Sequence, residues 1–243
     1  MPAPLTASAF APETTVGAIV AAHPALARFF EHLGIDYCCG GKQPLRDACA
    51  VRSLDVLTTL TLLKSAAVAL DRIPTEVNAA GMTLTELVNH IEQTHHVYTK
   101  SELPRLVALA DRVAASHAER DPRLIEMASI VRTLTKEMLD HMEKEEAVLF
   151  PLIRRVEAES RPTGPASVIG DPIRAMEAEH DDAGHAIARL RSLTDNFTSD
   201  NNSCNSHRAL LAGLAAFEAD LHRHVHKENN VLFPRVLGRF LSE

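Results

Sequence analysis

Two stretches of this chain of 243 residues repeat one another 83 positions apart. His141-Met-Glu-Lys-Glu145-Glu-Ala-Val-Leu149-Phe150-Pro151 and His224-Val-His-Lys-Glu228-Asn-Asn-Val-Leu232-Phe233-Pro234 both read H-x-x-K-E-x-x-V-L-F-P. On a helix, a histidine and a glutamate four residues apart share one face, one turn apart. Both pairs continue an apolar rhythm. In the first stretch it runs through Leu134, Met138, His141, Glu145, Val148 and Leu152; in the second, through Leu210, Leu214, Phe217, Leu221, His224, Glu228 and Val231. That rhythm points imidazoles and carboxylates inward. Two carboxylates in a dry interior repel each other, and each costs several kcal/mol unless it is paired or binds metal. A cation between them removes the conflict, so the expected chemistry is metal binding.

Two further helical stretches offer donors. Ile173, Met176, His180, Gly184 and Ile187 form an apolar face with His180 at its centre. Earlier in the chain, periodicity through Leu84, Val88 and Ile91 favours His95. The repeat favours His96, which precedes His180 by 84 positions, close to the 83 of the main motif. We take His96, with His95 as the alternative. The proposed ligand set is His96, His141, Glu145, His180, His224 and Glu228. Mixed nitrogen and oxygen donors on facing helices suit a pair of first-row metals, with the glutamates bridging. Iron is the first choice and manganese the second; structural zinc, which prefers four-ligand Cys/His sites, fits less well. Glu137 and Glu179, one turn before His141 and next to His180, are candidates to orient an imidazole or relay protons. A solvated helix charge is the simpler reading of each. His222 and His226 lie off the apolar face and read as solvated.

These residues need four long helices to carry them. The first starts at the capping box Thr83-Leu84-Thr85-Glu86 and runs to about 118. The second follows Asp121-Pro122 and runs to about 158. The third starts at Asp171-Pro172 and ends near 195; the fourth covers about 203–240. Short polar loops join them, which predicts an up-down-up-down bundle over 83–243. Before it come a flexible start (1–13), a small helical domain (14–73) with a turn at Tyr37-Cys38-Cys39-Gly40-Gly41-Lys42, and a linker (74–82).

Composition narrows the function. Apolar residues make up 46% of the chain, enough for a core, while aromatics are only 4%, which favours helix over sheet. A net charge of -7 argues against a nucleic-acid partner. The first twenty residues lack a basic segment, and no apolar run approaches a membrane span, so we expect a cytoplasmic protein with no membrane partner. Its four cysteines are then expected as thiols or metal ligands rather than disulfides. Cys38 and Cys39 are adjacent and cannot form an unstrained disulfide. The flanking glycines suggest accessible thiols, open to metal contact or redox chemistry.

Together these motifs resemble the repair-of-iron-centres family. The His-x-x-x-Glu-x-x-x-Leu-Phe-Pro stretches, and His180 within Glu-His-Asp-Asp-Ala-Gly, are similar to its hemerythrin-like domain. Asp36-Tyr37-Cys38-Cys39-Gly40-Gly41-Lys42 is similar to its small Cys-Cys domain. Glu102-Leu103-Pro104 resembles the stretch after the family's first ligand, which supports His96. The resemblance implies an all-α, hemerythrin-like four-helix bundle preceded by a small helical domain. It implies two non-haem, carboxylate-bridged irons and a role in the nitrosative and oxidative stress response. It also implies, as partners, nitric oxide or another small diatomic, damaged iron–sulfur proteins and an electron donor of unspecified identity. Homodimerisation is left open. Iron delivery, nitric oxide buffering and nitric oxide reduction are the functions to be separated, and only the last would make the chain an enzyme.

Overall fold

The computed structural model describes residues 10–70, 77–159, 167–199 and 203–241. Part of the expected flexible start (1–9), part of the linker (74–76) and the loop at Arg161–Pro165 lie outside them. The described residues are all-α: they contain no strand, only an isolated bridge between Thr15 and Pro44. None of their helices is long and apolar enough to cross a membrane. Contacts group the chain into two compact units, one of residues up to Leu87 together with those from His222 onward, the other Val88–Leu221.

In the first unit, α1 (Val16–Ala22), α2 (Ala27–Leu33), α3 (Leu45–Val51) and α4 (Val56–Leu70) surround a core that includes Val16, Ile19, Leu26, Phe30, Tyr37, Leu45, Cys49 and Leu63. Local signals set their ends. Thr15 Oγ1 accepts from the Ala18 amide at the start of α1, and Asp55 Oδ1 accepts from the Thr58 amide at the start of α4. Gly34 closes α2 in the left-handed conformation, φ 64°, which a residue with a Cβ adopts only at a cost.

Four long helices follow. α5 (84–117) is Leu84–Ile91, a π turn Glu92–His96 and Val97–His117. α6 (123–158) is Arg123–Lys144, a π turn Glu145–Leu149 and Phe150–Ala158. α7 is Ser167–Leu193. α8 (205–241) is Asn205–Lys227, a π turn Glu228–Leu232 and Phe233–Leu241. Within Val88–Leu221, α5 packs along α6 and α6 along α7. Two partly buried polar pairs fasten α8 to this group: Asp220 meets His95 of α5 at 3.0 Å, and Glu218 binds Arg191 of α7. The result is the expected four-helix bundle.

The capping box at the start of α5 forms as spelled. Thr83 Oγ1 accepts from the Glu86 amide at 3.1 Å, and Glu86 Oε2 accepts from the Thr83 amide at 2.8 Å. Thr83→Ala is expected to cost about 1 kcal/mol in chemical denaturation, with metal content unchanged.

Two expectations need correction. α7 begins at Ser167, not at Asp171, and contains Pro172. A proline this near the start forfeits a single helical hydrogen bond, while the added turn buries Ile169 at 1% exposure. On α6, Val148 is 53% exposed, and Leu149, Phe150 and Ile153 are buried in its place. The π turn is the cause. The Phe150 amide reaches back five residues to the Glu145 carbonyl, which inserts one residue and advances the buried face by one position.

Candidate metal centre

Each of the three π turns has a proposed ligand at one of its ends. Glu145 and Glu228 open theirs, and His96 closes the one in α5. The hydrogen bonds that define them run from Val97 N to Glu92 O, Phe150 N to Glu145 O and Phe233 N to Glu228 O. In α6 and α8 the sequence shows why the helix widens there. Pro151 and Pro234 follow the last bond, and a proline ring crowds the carbonyl four residues back. A one-residue insertion relieves that crowding.

In Val88–Leu221 the fold brings four of the six proposed ligands together. His96 Nε2 and His141 Nε2 each lie 3.4 Å from Glu145 Oε2, and His180 Nε2 lies 3.0 Å from His141 Nε2. Glu145 is fully buried, and the three imidazoles are at most 2% exposed. His96 stacks on Phe150, ring centroids 5.5 Å apart. Imidazole nitrogens that converge on one another and on a carboxylate at such distances form a donor set that a cation can bridge, at metal–nitrogen distances of about 2.0–2.1 Å. In the other unit, His224 Nε2 and Glu228 Oε1 lie 3.0 Å apart, and both residues are fully buried.

Carboxylates fix the orientation of two of these imidazoles. His96 Nδ1 donates to Glu146 at 2.7 Å, and Lys100 donates to both oxygens of the same carboxylate at 2.6 and 2.7 Å. His141 Nδ1 donates to Glu179 at 2.8 Å, and Lys144 binds that carboxylate as well. A carboxylate on Nδ1 sets the tautomer that leaves Nε2 with its lone pair for a metal. Partial burial works against ionisation of Glu146 and Glu179. Hydrogen bonds from the lysine and the histidine outweigh it, and both carboxyls sit below their ordinary range. Glu137 is exposed on α6. His95 is buried too, but its Nδ1 meets Asp220.

Residues from His222 onward also hold the Cys-Cys turn. Asn230 Nδ2 donates to the carbonyls of Tyr37 at 3.3 Å and Cys38 at 2.9 Å, and His226 Nδ1 donates to the Tyr37 carbonyl at 3.2 Å. His226 is therefore buried rather than solvated; burial pushes its imidazole down to about 4, partly offset by that hydrogen bond. His222 meets the Tyr37 ring edge-on. Gly17 and Gly41 give the Asn230 amide its room, since a Cβ on either would come within 2.3 Å of Asn230 Oδ1. Asn230→Ala removes one donor from each of two carbonyls, which keep their bonds from His226 and the Gly41 amide, and is expected to cost about 0.5–1.5 kcal/mol, read by chemical denaturation of the metal-free chain. The expected accessibility of both thiols is corrected: Cys38 is 5% exposed, and only Cys39 is partly open. Adjacent side chains on a tight turn point different ways, and this one turns Cys38 inward.

Residues 87–236 match the model of the hemerythrin HHE cation-binding domain, and residues 12–67 match ScdA_N, a domain of unknown function. The chain is 35% identical over 226 residues to the iron-sulfur cluster repair protein YtfE of Musicola paradisiaca, covering 93% of this chain and 96% of that protein. It is 34% identical over 226 residues to the protein of the same name from Dickeya chrysanthemi, covering 93% and 97%. The Yersinia pestis protein of that name is 35% identical over 224 residues, covering 92% and 96%. The chain belongs to the repair-of-iron-centres family.

Spacing within this family member found the ligand candidates but missed Glu146, His226 and Asn230. The signal for Glu146 was its place next to a proposed ligand: it follows Glu145, as Glu179 precedes His180. His226 and Asn230 had a faint one: they are four residues apart, on another face of the helix that carries His224 and Glu228. Cys49 lies in the core of the small domain. Cys204 sits at the start of α8, where its sulfur accepts from the His207 amide and meets His117.

Proposed function

We propose that His96, His141, Glu145, His180, His224 and Glu228 hold two irons in one carboxylate-bridged centre, and that the chain uses this iron to restore damaged iron–sulfur clusters. One observation carries the reading. Within Val88–Leu221, His96 and His141 each present Nε2 3.4 Å from the fully buried Glu145 carboxylate, and His180 Nε2 lies 3.0 Å from His141 Nε2, a buried donor set that a metal would satisfy. His224 and Glu228, both fully buried and 3.0 Å apart, repeat the His141–Glu145 pairing. With both carboxylates bridging, each metal would take two imidazoles and two shared carboxylates, four protein donors. A first-row ion that accepts six keeps positions for a small exogenous ligand. Bound iron would supply those exchangeable positions, and the iron itself as cargo.

The chain's own residues do the rest. Glu146 with Lys100 and Glu179 with Lys144 hold His96 and His141 with Nε2 presented to the metal. Phe150 covers the face of His96, which keeps water off that imidazole. Support from the relatives is direct, since those quoted are called iron-sulfur cluster repair proteins. Nitric oxide binding at the same irons is the finer part of the proposal and rests on the open positions.

Anaerobic reconstitution should give two irons per chain. The loaded protein should then restore a damaged iron–sulfur enzyme faster than the metal-free protein with equal free iron. Equal restoration by both would end the delivery reading. Nitric oxide added to the reduced, loaded protein should change its visible spectrum; no change would end the nitric oxide reading.

A further inference from the structure

We propose that Asp36, Cys38 and Cys39 form a second metal site, which takes a borderline divalent cation such as Zn²⁺, Fe²⁺ or Co²⁺ on two thiolates and one carboxylate. One donor atom from each of the three lies within 4.8 Å of the other two. The carboxylate is already aimed. Asp36 Oδ1 accepts from the Cys38 amide at 2.9 Å and from the Cys38 thiol at 3.1 Å, and Oδ2 accepts from the Gly40 amide at 2.9 Å. A cation that displaces the thiol proton would therefore meet sulfur and oxygen together. The turn is built to keep that geometry: a Cβ at Gly40 would come within 3.1 Å of Asp36 Oδ2, and Asn230 clamps the carbonyls of Tyr37 and Cys38.

The donors set the class of metal. Two thiolates with one carboxylate suit zinc and its neighbours rather than magnesium or calcium. Proton bookkeeping is simple: the cation forms two metal–sulfur bonds and one metal–oxygen bond, and the two thiol protons leave to solvent. The clustered thiols and carboxylate make that proton loss costly without a cation: hydrogen bonding from Cys39, then burial, pushes the Cys38 thiol up. Three protein ligands leave a fourth position open, the arrangement of a site that exchanges its metal rather than locking it. A role as a staging post for iron rests on the function proposed above; the site itself does not.

The test is an anaerobic Co²⁺ titration of the full chain, read by thiolate-to-cobalt charge-transfer absorption in the near ultraviolet, which imidazole and carboxylate ligands do not give. The wild type should show this band. Cys38→Ser and Cys39→Ser should abolish it, and Cys204→Ser should leave it. Asp36→Asn, isosteric and checked for unchanged helical circular dichroism, should weaken binding more than about tenfold. Glu145→Gln should keep the band while losing metal from the bundle, so the two sites fail independently. No band at millimolar Co²⁺, a band lost with Cys204 rather than Cys38, or an Asp36→Asn titration matching wild type would overturn the proposal.

Discussion

Glu145→Gln and Glu228→Gln will each strip both metals from the bundle and raise the melting temperature of the metal-free protein. In the proposed centre both glutamates bridge the two metals, so one change removes a donor from both. A histidine change would touch only one. The second effect follows from burial. Both glutamates are fully buried. A carboxyl group in such a place costs solvation free energy that the metal offsets when it is bound. Glutamine keeps the shape and removes the charge, so the metal-free fold should gain stability. For a chain of this size each kcal/mol gained raises the melting temperature by roughly 2–4 °C. Iron analysis after anaerobic reconstitution, and thermal melts in chelator, read the two effects separately. Retention of two irons per chain would refute the shared role. A metal-free variant that melts well below wild type would show that the carboxylates stabilise the fold without metal.

Removing the carboxylate behind one imidazole should be nearly as damaging as removing a ligand. Glu146→Ala and Glu179→Ala are expected to weaken iron binding about 10–100-fold, while Glu137→Ala changes nothing. The contrast comes from contacts. Glu146 and Glu179 accept from the Nδ1 atoms of His96 and His141, and each is held there by a lysine; Glu137 is exposed. Losing the carboxylate frees the imidazole to rotate and to place its proton on Nε2, which blocks the donor. Glu146→Gln keeps an acceptor for Nδ1 and should fall between wild type and alanine. Competition against a coloured chelator gives the affinities. If Glu137→Ala and Glu146→Ala bind alike, the orienting role fails.

Both predictions depend on features of unequal legibility. His141, Glu145, His224 and Glu228 were readable because a duplicated motif on an apolar face needs no knowledge of what it packs against. His180 was readable as the polar centre of an apolar stripe. His95 and His96 could not be separated by periodicity, because counting at 3.6 residues per turn assumes an unbroken α-helix. The π turn at Glu92–His96 inserts a residue and brings His96, one place later, to Glu145, while His95 goes to Asp220. The same insertion at Glu145–Leu149 defeated the expectation that Val148 and Leu152 face inward.

What the sequence determined by itself was the all-α class and the residue types that can hold metal. Those follow from local propensity and from spacing along one helix. Tertiary structure decided which face each π turn presents, which carboxylates stand behind the histidines, and that His226 and Asn230 grip the Cys-Cys turn. Glu146 meets a histidine 50 residues away, and Asn230 meets Cys38 across 192. No spacing rule reaches that far, because such pairs form only when separate helices settle against one another.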